Sequence, residues 1–177
     1  MTNITYSKDA TITICVANLA EYTKGKLVGS WVSLPIEEND WKDFLKTIGN
    51  PEEITIYDYE NNSGIDSLEI EYYSSISYLN KLARKLEEIK NKGLIKEFNA
   101  LYEALEEDFE DAVEYLETNR YLFYSGVTME EVAKNYIENN CTIPKYVENY
   151  IDYKAFANDM HLEIFYTKTD YGIIKIF

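Results

Sequence analysis

Glu97–Glu117 reads EFNALYEALEEDFEDAVEYLE. Nine of its 21 side chains are acidic and none is basic. Beneath the charge, Leu101, Leu105, Phe109, Ala112, Val113 and Leu116 recur at steps of three and four, which predicts one amphipathic helix. Glu103, Glu107, Glu110, Glu114 and Glu117, with Asp111 beside them, then line the opposite face. Like charges at that spacing cost a helix about 0.2–0.5 kcal/mol per pair, and no lysine is interleaved to offset them. Such a helix spans about 31 Å, so its acids fall about one per 3.5 Å. One strand of B-DNA carries a phosphate every 3.4 Å or about that. The run reads as a solvated face or as a face arranged for a basic cleft.

Upstream, Ile76, Leu79, Leu82, Leu86 and Ile89 mark a second helix, capped by Ser74, Ser75 or Ser77 and broken by Gly93. The N-terminal third reads as strands. Ile12, Ile14 and Val16 alternate with Thr11, Thr13 and Cys15, and Lys26–Leu34 is a second run that ends at Pro35. A third strand carries Ile54 and Ile56. Between them Asn39 or Asp40 caps a short helix, WKDFLKTI, which Gly49 ends. Asn61-Asn62-Ser63-Gly64 reads as a linker or turn. Downstream, Thr128-Met129-Glu130-Glu131 is a capping box with Val127 and Val132 as its staple. A helical stretch follows Pro144, through Tyr146, Tyr150 and Phe156. Two closing strands, Leu162–Thr167 and Ile173–Phe177, are joined by a turn at Thr169–Gly172. The fold class expected is α+β, elongated, in three small domains. These are an N-terminal strand-rich domain with a short helix (1–62), a helical acidic middle (63–120) and C-terminal helices plus a β-hairpin (121–177).

The 177 residues carry 32 Asp+Glu against 17 Lys+Arg, a net charge of −15, and 46% are hydrophobic. That is enough apolar material for packed cores despite the charge. All three parts are acidic, with 10 acids against 5 bases in 1–60, 14 against 7 in 61–120 and 8 against 5 in 121–177. A surface of this sign repels nucleic acid and membranes and attracts basic clefts. The bases around Lys81, Arg84, Lys85, Lys90, Lys92 and Lys96 adjoin the acidic run, where pairing with carboxylates is expected in place of phosphate binding. No apolar stretch reaches the length of a membrane helix, and the N-terminus has no secretory pattern, so the protein is expected in the cytoplasm.

Catalytic patterns are missing. His161 is the single histidine, which excludes two-histidine zinc sites. Cys15, in ITICVA, reads as a small core hydrophobe, and neither it nor Cys141 has the context of a nucleophile. No glycine-rich phosphate loop is present, and no cofactor or metal is expected. One metal pattern competes. Asp58, Glu60, Asn62, Asp66 and Glu69 fall at positions 1, 3, 5, 9 and 12 of an EF-hand loop, which makes a calcium-binding regulatory module an alternative. Against it, Gly64 stands at position 7 where the loop needs glycine at 6, and Glu53–Tyr57 reads as a strand where a helix is required. An acidic adaptor for another basic partner is a further alternative.

Several ordered pieces resemble the ArdA antirestriction family. They are VANLAEYTKGKLVGSWVSLPI (Val16–Ile36), YDYE (Tyr57–Glu60), SISYLNKL (Ser75–Leu82), VAKNYIE (Val132–Glu138), the Pro144 segment, YIDYKAFANDM (Tyr150–Met160) and the closing hairpin with its central glycine. The resemblance implies a non-catalytic protein of mobile genetic elements, an acidic homodimer that mimics bent B-form DNA. It would occupy the DNA-binding groove of type I restriction–modification enzymes without binding nucleic acid itself. Glu37, Glu38, Asp40, Asp58, Glu60 and Glu71 would join the carboxylates of the acidic run as phosphate mimics. By the same resemblance, Met129–Asn140 falls near the family's antirestriction motif and dimer contact, with Val132, Tyr136, Tyr146 and Tyr150 as interface candidates. For the tyrosines, packing within the subunit is the equal alternative. The run Glu97–Glu117 itself departs most from the family pattern, so its individual acids rest on spacing and charge.

Overall fold

Ile12–Asn18 (β1) is buried along all seven residues. In the computed structural model, which describes residues 6–163 and 166–177 and the side chains of all these but 161–163, β1 is the centre of a three-stranded antiparallel sheet of order β2-β1-β3. β2 is Gly29–Leu34 and β3 is Ile54–Asn61. The threonines that alternate with Ile12 and Ile14 are buried too, so the alternation marks a central strand covered on both faces. A one-turn helix, α1 (Leu19–Tyr22), interrupts the connection from β1 to β2.

The helix after β2 begins earlier than its sequence signals. α2 is Glu38–Thr47 with Glu37 as its N-cap, so Asn39 and Asp40 lie inside its first turn. Glu38 and Asp40 there face the positive end of the helix dipole, a favourable placement that needs no capping side chain. Gly49, with φ +84°, donates to the Lys46 carbonyl and closes the helix.

Asn61–Gly64 is a braced turn and not a linker. The Asn61 amide donates to the Ile65 carbonyl at 2.8 Å and its oxygen accepts from the Ser63 backbone at 3.0 Å. Ile65, Leu68 and Ile70 follow, all buried. Then α3 (Ile76–Asn91), capped by Ser75, buries Leu79, Leu82, Ala83, Leu86 and Ile89. Each of the larger side chains contributes about 1.5–3 kcal/mol by leaving water. Asn80 fastens α3 to the chain after β2. It accepts from the Ile36 N–H at 2.8 Å and donates to the Ile36 carbonyl at 2.9 Å. The chain divides into two compact units, Met1–Gly93 and Leu94–Phe177, so α3 belongs with the first sheet.

The second unit contains α4 (Ile95–Ala104), α5 (Phe109–Thr118), β4 (Tyr121–Tyr124), α6 (Met129–Asn140), a 3-10 turn at Glu148–Tyr150, α7 (Tyr153–Glu163), β5 (Tyr166–Lys168) and β6 (Ile173–Ile176). Its antiparallel sheet has the order β4-β6-β5, and β4 had no recognised signal in the sequence. The single helix expected after Pro144 is a 3-10 turn followed by α7, and Leu162 and Glu163 end that helix instead of opening a strand. Residues 164 and 165 lie outside the described residues. The hairpin turn is as expected. Gly172 approaches β4 so closely that a Cβ there would meet the Tyr124 carbonyl at 2.5 Å. α6 and α7 close over Val132, Ala133, Ala157, Met160, Tyr166 and Ile173. The capping box of α6 is formed in both directions, Glu131 N–H to Thr128 Oγ1 and Thr128 N–H to Glu131 Oε2. These backbone and hydroxyl donors also hold the Glu131 carboxyl below its ordinary range.

Candidate interaction surface

The acidic run does not form the single helix its spacing predicts. It folds as α4, a turn, and α5, and the turn is made by Glu106 (φ +56°) and Glu107 (φ +66°) in the left-handed region. The Glu106 N–H donates to the Glu103 carbonyl at 3.3 Å and the Glu107 N–H to the Tyr102 carbonyl at 2.8 Å. This pair of bonds closes a Schellman motif, whose left-handed position is usually glycine. The apolar stripe survives the break because Phe98 of α4 and Phe109 of α5 meet edge to face at 5.4 Å between centroids. What the break changes is the outer face. The carboxylates sit on two short helices and the corner between them, not along one 31 Å rod.

Glu103, Glu106, Glu107, Asp108, Glu110, Asp111, Glu114 and Glu117 are all exposed. Their local roles differ. Asp108 caps α5 by accepting from the Asp111 N–H at 2.9 Å, and Glu110 and Asp111 lie in the first turn, where the dipole favours them. Glu106 and Glu107 stand at the negative end of α4, where the same field opposes them. Glu103 accepts from the Asp170 N–H at 3.0 Å, which brings the tip of the β5–β6 hairpin, and the exposed Asp170, to the same face. Arg120 ion-pairs with Glu114 and lies over the Tyr115 ring at 4.6 Å. Sequence spacing missed Glu106, Asp108 and Asp170. The first two were visible in the run but off the helical period, and the third depends on the tertiary fold.

The acids expected in the first unit are also exposed, with a different disposition. Glu37 pairs with Arg84 at 2.6 Å, and Glu38 pairs with Lys42. That lysine holds the Glu38 carboxyl below its ordinary range. Asp58 and Glu60 lie on β3, where Glu60 accepts from the Tyr6 hydroxyl at 3.2 Å. Glu71 is in the chain between β3 and α3. The calcium alternative finds no support here, because Asp58 and Glu60 lie within a strand where an EF-hand needs a helix followed by a loop, and among the described residues no group of acids is placed to hold a metal ion. Cys15 is buried, with its thiol pushed up by burial and then by the Asp58 charge, and Cys141 is exposed. The side chain of His161 lies outside the described residues.

Of the interface candidates, Val132 is 2% exposed and belongs to the core between α6 and α7, while Tyr136 is half-buried against Phe156. Tyr146 and Tyr150 are 78% and 86% exposed. Among the described residues no helix is long and apolar enough to cross a membrane.

Fold and surface together define an acidic α+β protein whose dominant chemical feature is a carboxylate face on a helix–turn–helix corner. The family model for antirestriction protein (ArdA) matches residues 14–175, and the chain belongs to that family. No curated protein matches it at a significant level.

Proposed function

We propose that this protein is a non-catalytic inhibitor that takes the place of DNA in the DNA-binding groove of a type I restriction–modification enzyme, acting in the cytoplasm as a homodimer. The observation that carries the reading is the α4–α5 corner, where eight exposed carboxylates lie between Glu103 and Glu117 with no lysine or arginine among them in the chain. Within the free protein these charges repel one another, and the repulsion is offset when a groove of lysines and arginines arrives. Membership of an antirestriction family supplies the class of target. Glu37, Glu38, Asp40, Asp58, Glu60 and Glu71 are further phosphate mimics on the first unit. Exposed Tyr146 and Tyr150 are the aromatic anchors we assign to the dimer contact, with half-buried Tyr136 of α6 as a further member.

The test is competition. Labelled target DNA is bound to a purified type I enzyme at low salt and the protein is titrated in. Release of DNA at stoichiometric amounts is the expected result, and DNA that stays bound at large excess with several such enzymes rejects the reading. Sedimentation of Tyr146→Ala with Tyr150→Ala tests the dimer, which should shift to monomer while the fold is kept.

A further inference from the structure

Four exposed tyrosines of the first unit gather around one concavity. Tyr22 at the end of α1, Tyr57 on β3, and Tyr72 and Tyr73 between β3 and α3 line a groove of about 450 Å³ together with Thr55, Ile56 and Asp58. Their exposures are 44%, 45%, 64% and 83%. Tyr22 and Tyr57 stand edge to face at 5.8 Å, and the Ile56 N–H donates to the Tyr72 carbonyl at 3.1 Å, which fixes the Tyr72–Tyr73 segment against β3. Clustered exposed aromatics mark an interaction site more strongly than single ones, since scattered apolar side chains are ordinary on any surface.

The chemistry of the lining selects the occupant. It contains a carboxylate and no lysine or arginine, so it disfavours anions. Aromatic faces beside a carboxylate suit a cation, and a planar guanidinium stacks on them better than an ammonium. In the second unit this protein already places its own cations on rings, Arg120 over Tyr115 at 4.6 Å and Lys175 over Tyr166 at 5.3 Å. Among the described residues none does so for the four groove tyrosines. Lys24, close to Tyr22 in the chain, is turned to Glu21 at 2.8 Å. A nucleobase would also stack, but its phosphates would meet a protein of charge −15.

We propose that this groove receives an arginine side chain of the partner protein, stacked between the tyrosines and paired with Asp58. The inference rests on the DNA-mimic reading for the partner's identity and adds a contact that phosphate mimicry does not contain. DNA presents no aromatic face to a groove arginine at its phosphate positions, so this site would be a protein-specific anchor within an otherwise DNA-like surface. Its signature is a contribution that salt does not screen, because stacking depends on desolvated rings more than on long-range charge.

The experiment measures DNA displacement from a type I enzyme across a salt series for three proteins: wild type, Tyr72→Ala/Tyr73→Ala and Tyr72→Phe/Tyr73→Phe. Both side chains are exposed, and the Tyr72 carbonyl bond to β3 survives either change, so circular dichroism and melting temperature should stay put. The alanine variant is expected to inhibit about tenfold more weakly at every salt concentration, with an unchanged salt slope, and the phenylalanine variant to inhibit within about twofold of wild type. Equal inhibition by wild type and alanine variant overturns the inference and leaves the DNA-mimic reading standing. A loss confined to low salt also overturns it, since the tyrosines would then be acting through the carboxylates. A change in sedimentation of the alanine variant overturns it as well, because the groove would be a contact between copies of this chain. Failure of wild type to displace DNA at any salt removes the DNA-mimic reading, and the arginine partner with it.

Discussion

The two units carry charge of the same sign in opposite ways. The first has 15 acidic against 10 basic residues, and many of its acids are partnered: Glu21 with Lys24, Glu37 with Arg84, Asp43 with Lys46, Glu88 with both Lys85 and Lys92. Lysine contacts from both sides hold the Glu88 carboxyl down to about 2. The second unit has 17 acidic against 7 basic residues, and its ion pairs include Glu114 with Arg120 and the long Lys134–Glu138 contact at 3.9 Å. Exposed pairs add little stability, so the difference is not one of folding strength. It is one of availability. Glu21, Glu37, Glu38, Asp43 and Glu88 in the first unit have a lysine or arginine to give up before they meet a foreign cation, whereas at the α4–α5 corner Glu106, Glu107, Glu110 and Asp111 have none among the described residues. The corner also bears a local cost in its backbone, with two glutamates in a conformation that favours glycine.

The comparison breaks most visibly under block neutralisation. Changing Glu106, Glu107, Glu110, Glu114 and Glu117 to glutamine together should weaken inhibition roughly 100-fold at low salt, from about 0.6 kcal/mol per exposed pair. Five matching changes at Glu37, Glu38, Asp40, Glu60 and Glu71 should cost about tenfold or less, and equal losses from the two blocks would erase the distinction. A smaller effect of opposite sign is expected in stability. Glu106→Gly with Glu107→Gly relieves the left-handed strain and removes two carboxylates from the negative end of α4. That should stabilise the protein by about 1 kcal/mol and raise the melting temperature by a few degrees while inhibition falls. Thermal melts check it, and a lowered melting temperature would show that the turn is not strained.

High pH acts on the second unit through Tyr166. Burial, with the neighbouring Tyr124 hydroxyl and Tyr136 adding to it, pushes the Tyr166 hydroxyl up to about 12 from an ordinary 10.0. The folded state therefore holds this proton more tightly than the unfolded chain. Its stabilisation is complete below pH 10 and is lost as pH rises from 10 toward 12. Melting temperature followed through that window should fall for wild type and fall less for Tyr166→Phe. The smallest effect belongs to single acids. Any one Glu→Gln change at the corner should alter inhibition by less than about threefold, and a single change that abolishes it would point to a discrete site instead of a distributed surface.

Sequence legibility follows the same division. Strand and helix signals in the first unit were strong because the residues that set them act locally, as Ser75 and the period of Leu79, Leu82 and Leu86 do for α3. The membership of α3 in that unit was hidden, since it depends on Asn80 reaching Ile36 across 44 positions. In the second unit the apolar period from Leu101 to Leu116 runs unbroken, and it concealed the turn at Glu106 and Glu107. Nothing in a glutamate pair announces a left-handed corner, and tertiary packing of Phe98 on Phe109 decides it. β4 was hidden for a related reason, because YLFY is only four residues long and shows no strict alternation that separates it from a helix end. The acids of the site could be read from charge alone, and their sorting into paired and available could not.

If the α4–α5 corner is the DNA-like surface, the salt dependence of inhibition must change when its carboxylates are removed. The inhibition constant against a type I enzyme is measured from low to moderate salt for wild type and for the Glu106, Glu107, Glu110, Glu114 and Glu117 glutamine variant. Log affinity should fall steeply with log salt for wild type, and the variant's slope should be shallower by several contacts. Parallel lines of equal slope for the two proteins would contradict it.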